Sequence, residues 1–369
     1  PWKAYQFSNK ELVWLQEIAR QNKVILSVFT KPYALNALKS LSNIESILLA
    51  YQNSEISQRV AAQIIFGALP AKGKLPVSIS NSSFKVGQGI QTQPLGRLAY
   101  GVPESVGMSS RRLLKLDSMA HLAIDKKMTP GLQLLVARKG KVVYHKSFGH
   151  HTYENKIKVS PKDLYDVASL TKILVTLPLL MELVDLGVVN LDDRLETLLP
   201  SYKNSNKAHI TLKEMLSHFA QLKPWIPFYS ATLDSVTQKP HPNFFRTKKS
   251  IDFPIQISDN TFLRADFTDS IHENIFASEL LEKRKYRYSD LPYYILKEFI
   301  ENHYELPLND LIQQHFYSSI GANSSTYLPL NRFDKTQIIP TEQDNYFRFE
   351  KVHGHVHDMG AAMQNGVGG

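Results

Sequence analysis

DVASLTKILVTLPLLMELVDLG, residues 166–187, places a serine where an apolar segment begins and a lysine three residues later. Side chains three residues apart share one face of a helix, so the amine of Lys172 can lie beside the hydroxyl of Ser169. A desolvated lysine can take the proton of a serine and make it a nucleophile. Residues 170–186 are apolar almost all round, which predicts a buried central helix. Pro178 should kink this helix or shift its hydrogen bonds.

The Ser-x-x-Lys pattern has little specificity by itself. A second match, SSFK at residues 82–85, lies in a polar stretch with no apolar helix behind it. Ser169 is preceded by the apolar residues 167–168 and followed by an apolar helix. Both features favour Ser169 over the second match as the reactive serine. An alternative stays open, in which Ser169 is only the N-cap of an ordinary core helix.

Composition narrows the class of protein. With 369 residues, two or three domains are expected, and 43% hydrophobic and 21% charged residues indicate a globular chain. No apolar run is long enough to span a bilayer. The chain has no cysteine, which excludes disulfides, thiolate metal sites and a cysteine nucleophile.

The net charge of +9 would suit an anionic partner, but the basic residues are scattered and the densest cluster, KRKYR at residues 283–287, is short. We therefore predict a solvated basic surface and no nucleic-acid partner. The chain begins at Pro1 without a methionine or signal sequence and stops in a loop-like GVGG at residues 366–369. We expect it to belong to a longer protein, so a missing signal peptide is uninformative.

Residues 1–80 alternate helical and strand-like patterns, which predicts a parallel α/β sheet. The expected elements are helices at 9–22, 33–38 and 55–68, strands at 24–29 and 44–51, and an edge strand at 74–79. Residues 81–103 are polar, with glycines, glutamines and prolines, and are interpreted as a linker.

A second domain is predicted over residues 104–369. It should begin with an amphipathic helix at 109–125 and a hairpin whose strands, 132–138 and 141–145, flank Lys139-Gly140. After the nucleophile helix, a short capped helix is expected at 210–218. Residues 223–266 are rich in aromatics and prolines and predict a long irregular excursion.

A Ser–Lys enzyme needs a second group that moves protons, because the leaving group must be protonated. The candidate is Tyr288, in the sequence Tyr-Ser-Asp at residues 288–290, just before a helix expected over 291–300. A tyrosine beside a cationic lysine can act as base and then as acid. Tyr51, Tyr153 and Tyr202 also precede an Asn by two residues, so the Tyr-x-Asn pattern is not specific. The alternative is that Tyr288 is an ordinary surface tyrosine.

The sequence HGHVHD, residues 353–358, has histidines at alternate positions, and three neutral imidazoles can hold zinc. No acidic or histidine cluster elsewhere offers a further ligand. We therefore favour a loop that lines the active-site rim, with no metal and no cofactor, and keep the zinc site as the alternative.

ASLTK at 168–172, LGVVNLDD at 186–193 and ITLKEMLSH at 210–218 together resemble the β-lactamase-related serine hydrolases, which include class C β-lactamases, D-alanyl peptidases and esterases. The resemblance covers residue 104 to the C-terminus and implies an α+β fold with an antiparallel sheet flanked by helices. It assigns nucleophilic attack to Ser169 and proton transfer to Lys172 and Tyr288. Asp290, where the family more usually has Asn, and His357, in a stretch common among envelope-associated members, would contact substrate.

In that family the oxyanion hole uses the serine N–H and a strand carrying Lys/His-x-Gly. No such strand occurs before residue 369, so we expect this chain to fold incompletely there and to catalyse poorly. Residues 1–80, through AAQIIFG at 61–67 and GKLPVS at 73–78, resemble the end of the α/β sandwich domain of glycoside hydrolase family 3. The glycosidic residues of that family lie in a barrel domain that this sequence lacks, so none is assigned.

The combined prediction is a periplasmic or envelope-associated serine hydrolase acting on an ester, amide or β-lactam, linked to a β-N-acetylglucosaminidase-like glycosidase. Its substrate would be a small molecule or derive from peptidoglycan or glycan. The alternative is a non-catalytic module that binds wall peptide, which Asp290 in place of Asn favours slightly. A third possibility is that only an upstream glycosidase is active.

Overall fold

The computed structural model describes residues 6–80, 82–154 and 156–364. The chain divides into two compact units, residues 1–149 and 150–369. The predicted boundaries at 80/81 and 103/104 remain predictions. The GVGG stretch at residues 366–369 lies outside the described residues. The mixed α/β class is confirmed, since helices alternate with small sheets along the chain.

The first unit begins with the predicted alternation of helices and strands. A capping box formed by Ser8 and Glu11 starts the first helix, and β1 pairs in parallel with β2. Val28, Leu35 and Ile79 form a small buried core. The helices are α1 (Asn9–Gln21), α2 (Glu55–Ile65) and α3 (Ser110–Asp125), and the strands are β1 (Val24–Val28), β2 (Ile44–Leu49), β3 (Ala99–Tyr100), β4 (Gly131–Arg138) and β5 (Lys141–Gly149).

One prediction for this unit is wrong. Residues 74–79 form no strand; instead the Leu75 N–H donates to the Gln88 carbonyl at 2.7 Å, and the Leu75 carbonyl accepts from the Gly87 N–H at 2.8 Å. The linker at 81–103 stays a prediction; within that range, Ala99 and Tyr100 form β3, which pairs in parallel with β5.

The predicted hairpin of β4 and β5 is confirmed. Its turn residues Lys139 and Gly140 have φ values of 48° and 73°, the positive pair that a two-residue turn of this twist requires. On α3, the Asp117 carboxylate accepts hydrogen bonds from the Tyr144 hydroxyl at 2.5 Å and the Lys146 amine at 2.6 Å. These contacts hold the helix against the hairpin.

The second unit is mainly helical. A large apolar core joins the nucleophile helix to α7, α8 and α9. The helices are α4 (Leu177–Asp185), α5 (Leu195–Leu198), α6 (Leu212–Leu216), α7 (Phe267–Ala277), α8 (Leu291–Tyr304), α9 (Leu308–Ile312), α10 (Ser318–Ile320) and α11 (Met359–Met363); the strands are β6 (Phe245–Arg246), β7 (Ile255–Ser258), β8 (Thr261–Leu263), β9 (Glu342–Gln343) and β10 (Lys351–Val352). No described helix is long and apolar enough to cross a membrane.

The sequence predicted that residues 223–266 are irregular, and this is only partly correct. It contains an antiparallel sheet in the order β6–β8–β7, which buries Phe245, Ile257 and Leu263. Strands of two to four residues are too short to show the period of two that marks a strand in a sequence. Burial of these three side chains explains why the short strands nevertheless form.

The nucleophile helix changes its hydrogen-bonding pattern before Pro178. Residues Lys172–Thr176 form a π-helical segment, and the Leu177 N–H donates to the Lys172 carbonyl five residues earlier. Pro178 has no N–H for the carbonyl of Leu174, four residues before it. The hydroxyl of Tyr317 donates to that carbonyl at 3.1 Å instead. The predicted shift of hydrogen bonds at Pro178 is confirmed.

The same helix was predicted to be buried all round, which is wrong for the described residues. Leu179 and Leu183 are fully buried in the core, whereas Ile173 and Met181 are 54% and 61% exposed. When every face of a helix is apolar, the sequence does not show which face is buried in the core and which is exposed.

Replacing Tyr317 with phenylalanine should destabilise the protein by about 1 kcal/mol, because the Leu174 carbonyl loses its donor. The cost should shrink in a Pro178→Ala background, where residue 178 regains an N–H for that carbonyl. Denaturant unfolding of the two single variants and the double variant measures the coupling. An equal cost in both backgrounds would contradict this account.

Candidate active site

A strained turn presents Ser169 at the start of the nucleophile helix. Ala168 has a φ of 45°, in the left-handed region that non-glycine residues rarely adopt. The Asp166 carboxylate accepts the Ala168 N–H at 2.8 Å and stabilises this conformation. Strained backbone of this kind often occurs at functional sites because the surrounding structure must hold it in place.

Ser169 and Lys172 meet as the spacing predicted. The Lys172 ammonium donates to Ser169 Oγ at 2.9 Å and lies 2.8 Å from Asp290 Oδ1. The lysine side chain is only 4% exposed, so its charge is held by the protein rather than by water. Serine, lysine and aspartate thus form one hydrogen-bonded chain.

Tyr288 lies near this chain but does not join it through its hydroxyl. Its ring centroid is 5.6 Å from the Lys172 amine, and the ring centroid of Tyr293 is 5.3 Å from the same amine. Within the described residues, the Tyr288 hydroxyl makes no hydrogen bond to Ser169 or Lys172. The side chain is 41% exposed, so the structure provides a cation–π contact and leaves the proton-transfer role a prediction.

His218 supports the segment that carries Tyr288. Its ring lies 4.6 Å from the Tyr288 ring, and its Nδ1 accepts the Ser289 N–H at 3.3 Å. Burial and the nearby charge of Lys172 lower the pKa of His218, which favours the neutral ring that can accept this hydrogen bond. The Ser289 hydroxyl donates to the Lys223 carbonyl at 2.6 Å, which fixes the approach to Asp290.

His357 reaches the site from the other end of the unit. Its backbone N–H and its Nδ1–H donate to Asp166 Oδ2 at 2.9 and 3.1 Å. The bond to Asp166 raises the pKa of His357. Burial opposes ionisation of Asp166, yet the hydrogen bonds from His357 and Ala168 hold the pKa of its carboxyl below the ordinary value.

A buried arginine fixes the loop that carries His357. Arg348 donates to the carbonyls of Val356 and His357 at 2.8 and 3.1 Å, and to the Asp344 carboxylate at 3.4 Å. The side chains of Arg348 and Asp344 are both fully buried. The loop is therefore held by a buried ion pair, and through it His357 is held against Asp166.

The zinc alternative has no support in the described residues, where no group of three or more His, Asp or Glu side chains is placed to hold a metal ion. The three histidines have separate neighbours. His353 contacts the Ile338 carbonyl, His355 lies near Asp259, and His357 contacts Asp166.

A small cavity lies at Ser169. It has a volume of about 110 Å³ and is lined by Ala168, Ser169, Lys172, Asp290, Tyr294, His357 and Asp358. Four of the five predicted site residues, all except Tyr288, line this cavity. A larger cavity of about 330 Å³ is lined in part by residues 163–167 and by none of the five.

Asp166, His218 and Asp358 were not predicted to take part in the site. Asp166 had a local signal, since an aspartate two residues before a strained position can accept its N–H. His218 contacts a segment far away in the sequence, and Asp358 lines a cavity that distant segments build, so no spacing could predict either position.

An exposed serine in contact with a buried lysine, at the start of a helix and next to a strained turn, is typical of proteins that use a serine nucleophile. The profile of the beta-lactamase family matches residues 120–364. The chain therefore belongs to the beta-lactamase family, whose enzymes of this fold are serine hydrolases.

Known relatives are distant and longer than this chain. It is 25% identical over 231 residues to Protein flp of Staphylococcus aureus, covering 62% of this chain and 41% of that protein. It is 25% identical over 279 residues to a putative D-alanyl-D-alanine carboxypeptidase of Salmonella gallinarum, covering 71% and 60%. The octameric penicillin-binding protein homologue from Pyrococcus abyssi shares the fold, with a TM-score of 0.50, 19% identity and coverage of 70% and 52%. The chain spans less than two thirds of each relative.

Proposed function

We propose that this protein is a serine hydrolase that forms an acyl-enzyme at Ser169. The observation that carries the proposal is the 2.9 Å contact between Ser169 Oγ and the amine of the buried Lys172, at a cavity of about 110 Å³ that both residues line. Membership of the beta-lactamase family supports the same chemistry.

In the proposed reaction, Lys172 in its neutral form accepts the Ser169 proton as Oγ attacks the carbonyl carbon. Asp290, 2.8 Å from the amine, stabilises the ammonium that results. The proton then passes to the leaving group as the tetrahedral intermediate collapses, with Tyr288 as the second carrier. The Ser169 N–H would donate to the developing oxyanion. Water hydrolyses the acyl-enzyme by the same steps.

The test uses an activated ester, with intact mass recorded during turnover. Ser169→Ala should abolish the acyl adduct and lower kcat/KM by on the order of 10³-fold or more. Ser82→Ala, at the serine position of the second Ser-x-x-Lys match, is the matched control and should retain full activity. Equal turnover by wild type and Ser169→Ala would contradict the proposal.

A second candidate function is a non-catalytic module that binds wall peptide. It is favoured by the ion pair between Lys172 and Asp290, whose charged atoms are 2.8 Å apart, and by the Tyr288 hydroxyl, which makes no hydrogen bond to Ser169 or Lys172 within the described residues. This candidate predicts Ser169-independent binding of D-Ala-D-Ala peptides without turnover.

Two wider predictions belong to the proposal. One is a periplasmic or envelope location, supported by the likeness to a putative D-alanyl-D-alanine carboxypeptidase. The other is a link to a glycosidase through residues 1–80, supported by the parallel pairing of β1 and β2 and by the sequence resemblance. Fractionation of the natural host tests the first, and assay of the intact natural protein on a β-N-acetylglucosaminide tests the second.

A further inference from the structure

Two cavities in the second unit share one wall. The nucleophile cavity contains Ser169 and Lys172, and its neighbour, of about 240 Å³, is lined mainly by aromatic and apolar side chains. Asp290, Tyr294 and Asp358 line both cavities. We call the neighbour the aromatic chamber; its rings are those of Trp225, Phe228, Tyr229 and Tyr294. Two carboxylates therefore lie at the boundary between the serine and these rings.

The charge around this boundary is negative. Lys172 pairs with Asp290, and His357 pairs with Asp166. Asp358 accepts the Ala361 N–H at 2.7 Å and forms no ion pair with any described residue. With His357 neutral, three carboxylates face one ammonium, and protonation of His357 still leaves the carboxylates in excess.

The aromatic chamber also favours a positively charged ligand. Phe228 and Tyr294 are buried and pack edge to face with their centroids 5.4 Å apart, while Trp225 is 55% exposed at the chamber's edge. Ring faces attract cations, most strongly where water is excluded. A carboxylate placed here would meet the like charges of Asp290 and Asp358, which line the chamber.

We infer that the substrate carries a cationic group, a primary or quaternary ammonium, within a few bonds of the reacting carbonyl, and that this group occupies the aromatic chamber beside Asp358. The inference rests on the proposed function, because it places the reacting carbonyl at Ser169. It assigns the site to cationic esters or amides and disfavours acyl groups that bear a carboxylate.

Three nitrophenyl esters of equal acyl length test the inference: one ending in trimethylammonium, one in its uncharged tert-butyl isostere and one in carboxylate. A second matched set consists of three thioesters, which carry the same three groups on the thiol leaving group instead of on the acyl group. In at least one set the cationic ester should exceed the isostere by about tenfold in kcat/KM, with the carboxylate ester slowest.

The outcomes separate the two proposals. Ser169-dependent hydrolysis of the isostere, with no preference for the cation in either set, would overturn the inference and leave the proposed function standing. No Ser169-dependent hydrolysis of any ester would overturn both.

Asp358→Asn tests which residue produces the preference. Asparagine is also a good N-cap, so it can still accept the Ala361 N–H and start α11. The ratio of cationic to isosteric kcat/KM should fall by about fivefold, because one negative charge is removed. Asp234→Asn is the matched control, since the Asp234 carboxylate also accepts backbone N–H groups but lines neither cavity. An unchanged ratio in Asp358→Asn, or an equal fall in the control, would refute the assignment to Asp358.

Discussion

Replacing Lys172 with methionine is expected to lower kcat/KM for an activated ester by on the order of 10³-fold, with kcat carrying most of the loss. Methionine keeps much of the length of the side chain and removes only the amine that contacts Ser169 and Asp290. Without that amine, nothing in contact with Oγ can take its proton. The measurement is steady-state hydrolysis, with active sites counted by the acyl adduct.

A matched control separates loss of chemistry from loss of structure. Lys297→Met also removes a largely buried lysine amine, here paired with Glu301 on α8 and outside the nucleophile cavity. Its kcat/KM should stay within about twofold of wild type, since it touches no reacting atom. If Lys172→Met retains activity with unchanged unfolding, the lysine is not the base.

Tyr288→Phe tests whether the tyrosine hydroxyl also takes part in proton transfer. Its hydroxyl makes no bond to Ser169 or Lys172 within the described residues, although catalytic hydrogen bonds often tighten only when substrate is bound. Because the proposed reaction makes Tyr288 the second proton carrier, Tyr288→Phe should lose at least about tenfold in kcat/KM, and a smaller loss would show that Lys172 and Asp290 move the proton without it. A loss as large as that of Lys172→Met would show that the hydroxyl moves into the site during turnover.

The parts of this site that sequence could predict are local ones. Ser169 and Lys172 lie three residues apart on one helix, so their contact follows from helical geometry alone. Pro178 likewise predicted a change in hydrogen bonding within its own helix. In both cases the causes lie within ten residues of the effect.

What sequence could not predict depends on segments that are far apart. Asp290 was expected to contact substrate, yet it pairs with Lys172, which lies more than a hundred residues earlier. His357 was expected on the rim, yet it also supports the turn before Ser169 through Asp166. Such contacts arise from the packing of α8 and of the loop at 353–358 around the nucleophile helix, and neither segment shows it in its own pattern.

The second large effect is expected for stability. Asp166→Ala should destabilise the protein by about 3 kcal/mol, because the Ala168 and His357 N–H groups lose a charged acceptor in a site where the Asp166 side chain is only 12% exposed. Chemical denaturation monitored by tryptophan fluorescence measures this change. Asp266→Ala, which breaks a more exposed pair with Arg264, is the control and should cost less than about 1 kcal/mol.

The pH dependence of the stability difference between wild type and Asp166→Ala identifies the cause of that difference. The pKa of His357 is raised above 6.5 in the folded protein, so its contribution is fully present below pH 6.5 and is lost as the pH rises through the folded value. The pKa of Asp166 is lowered from 3.8, so its contribution is present above pH 3.8 and is lost as the pH falls through the folded value. The stability difference between wild type and Asp166→Ala should therefore be largest between about pH 4 and 6.5. A difference that stays constant from pH 4 to 9 would mean that the hydrogen bonds from the backbone N–H groups of Ala168 and His357 matter and that the charge on His357 does not.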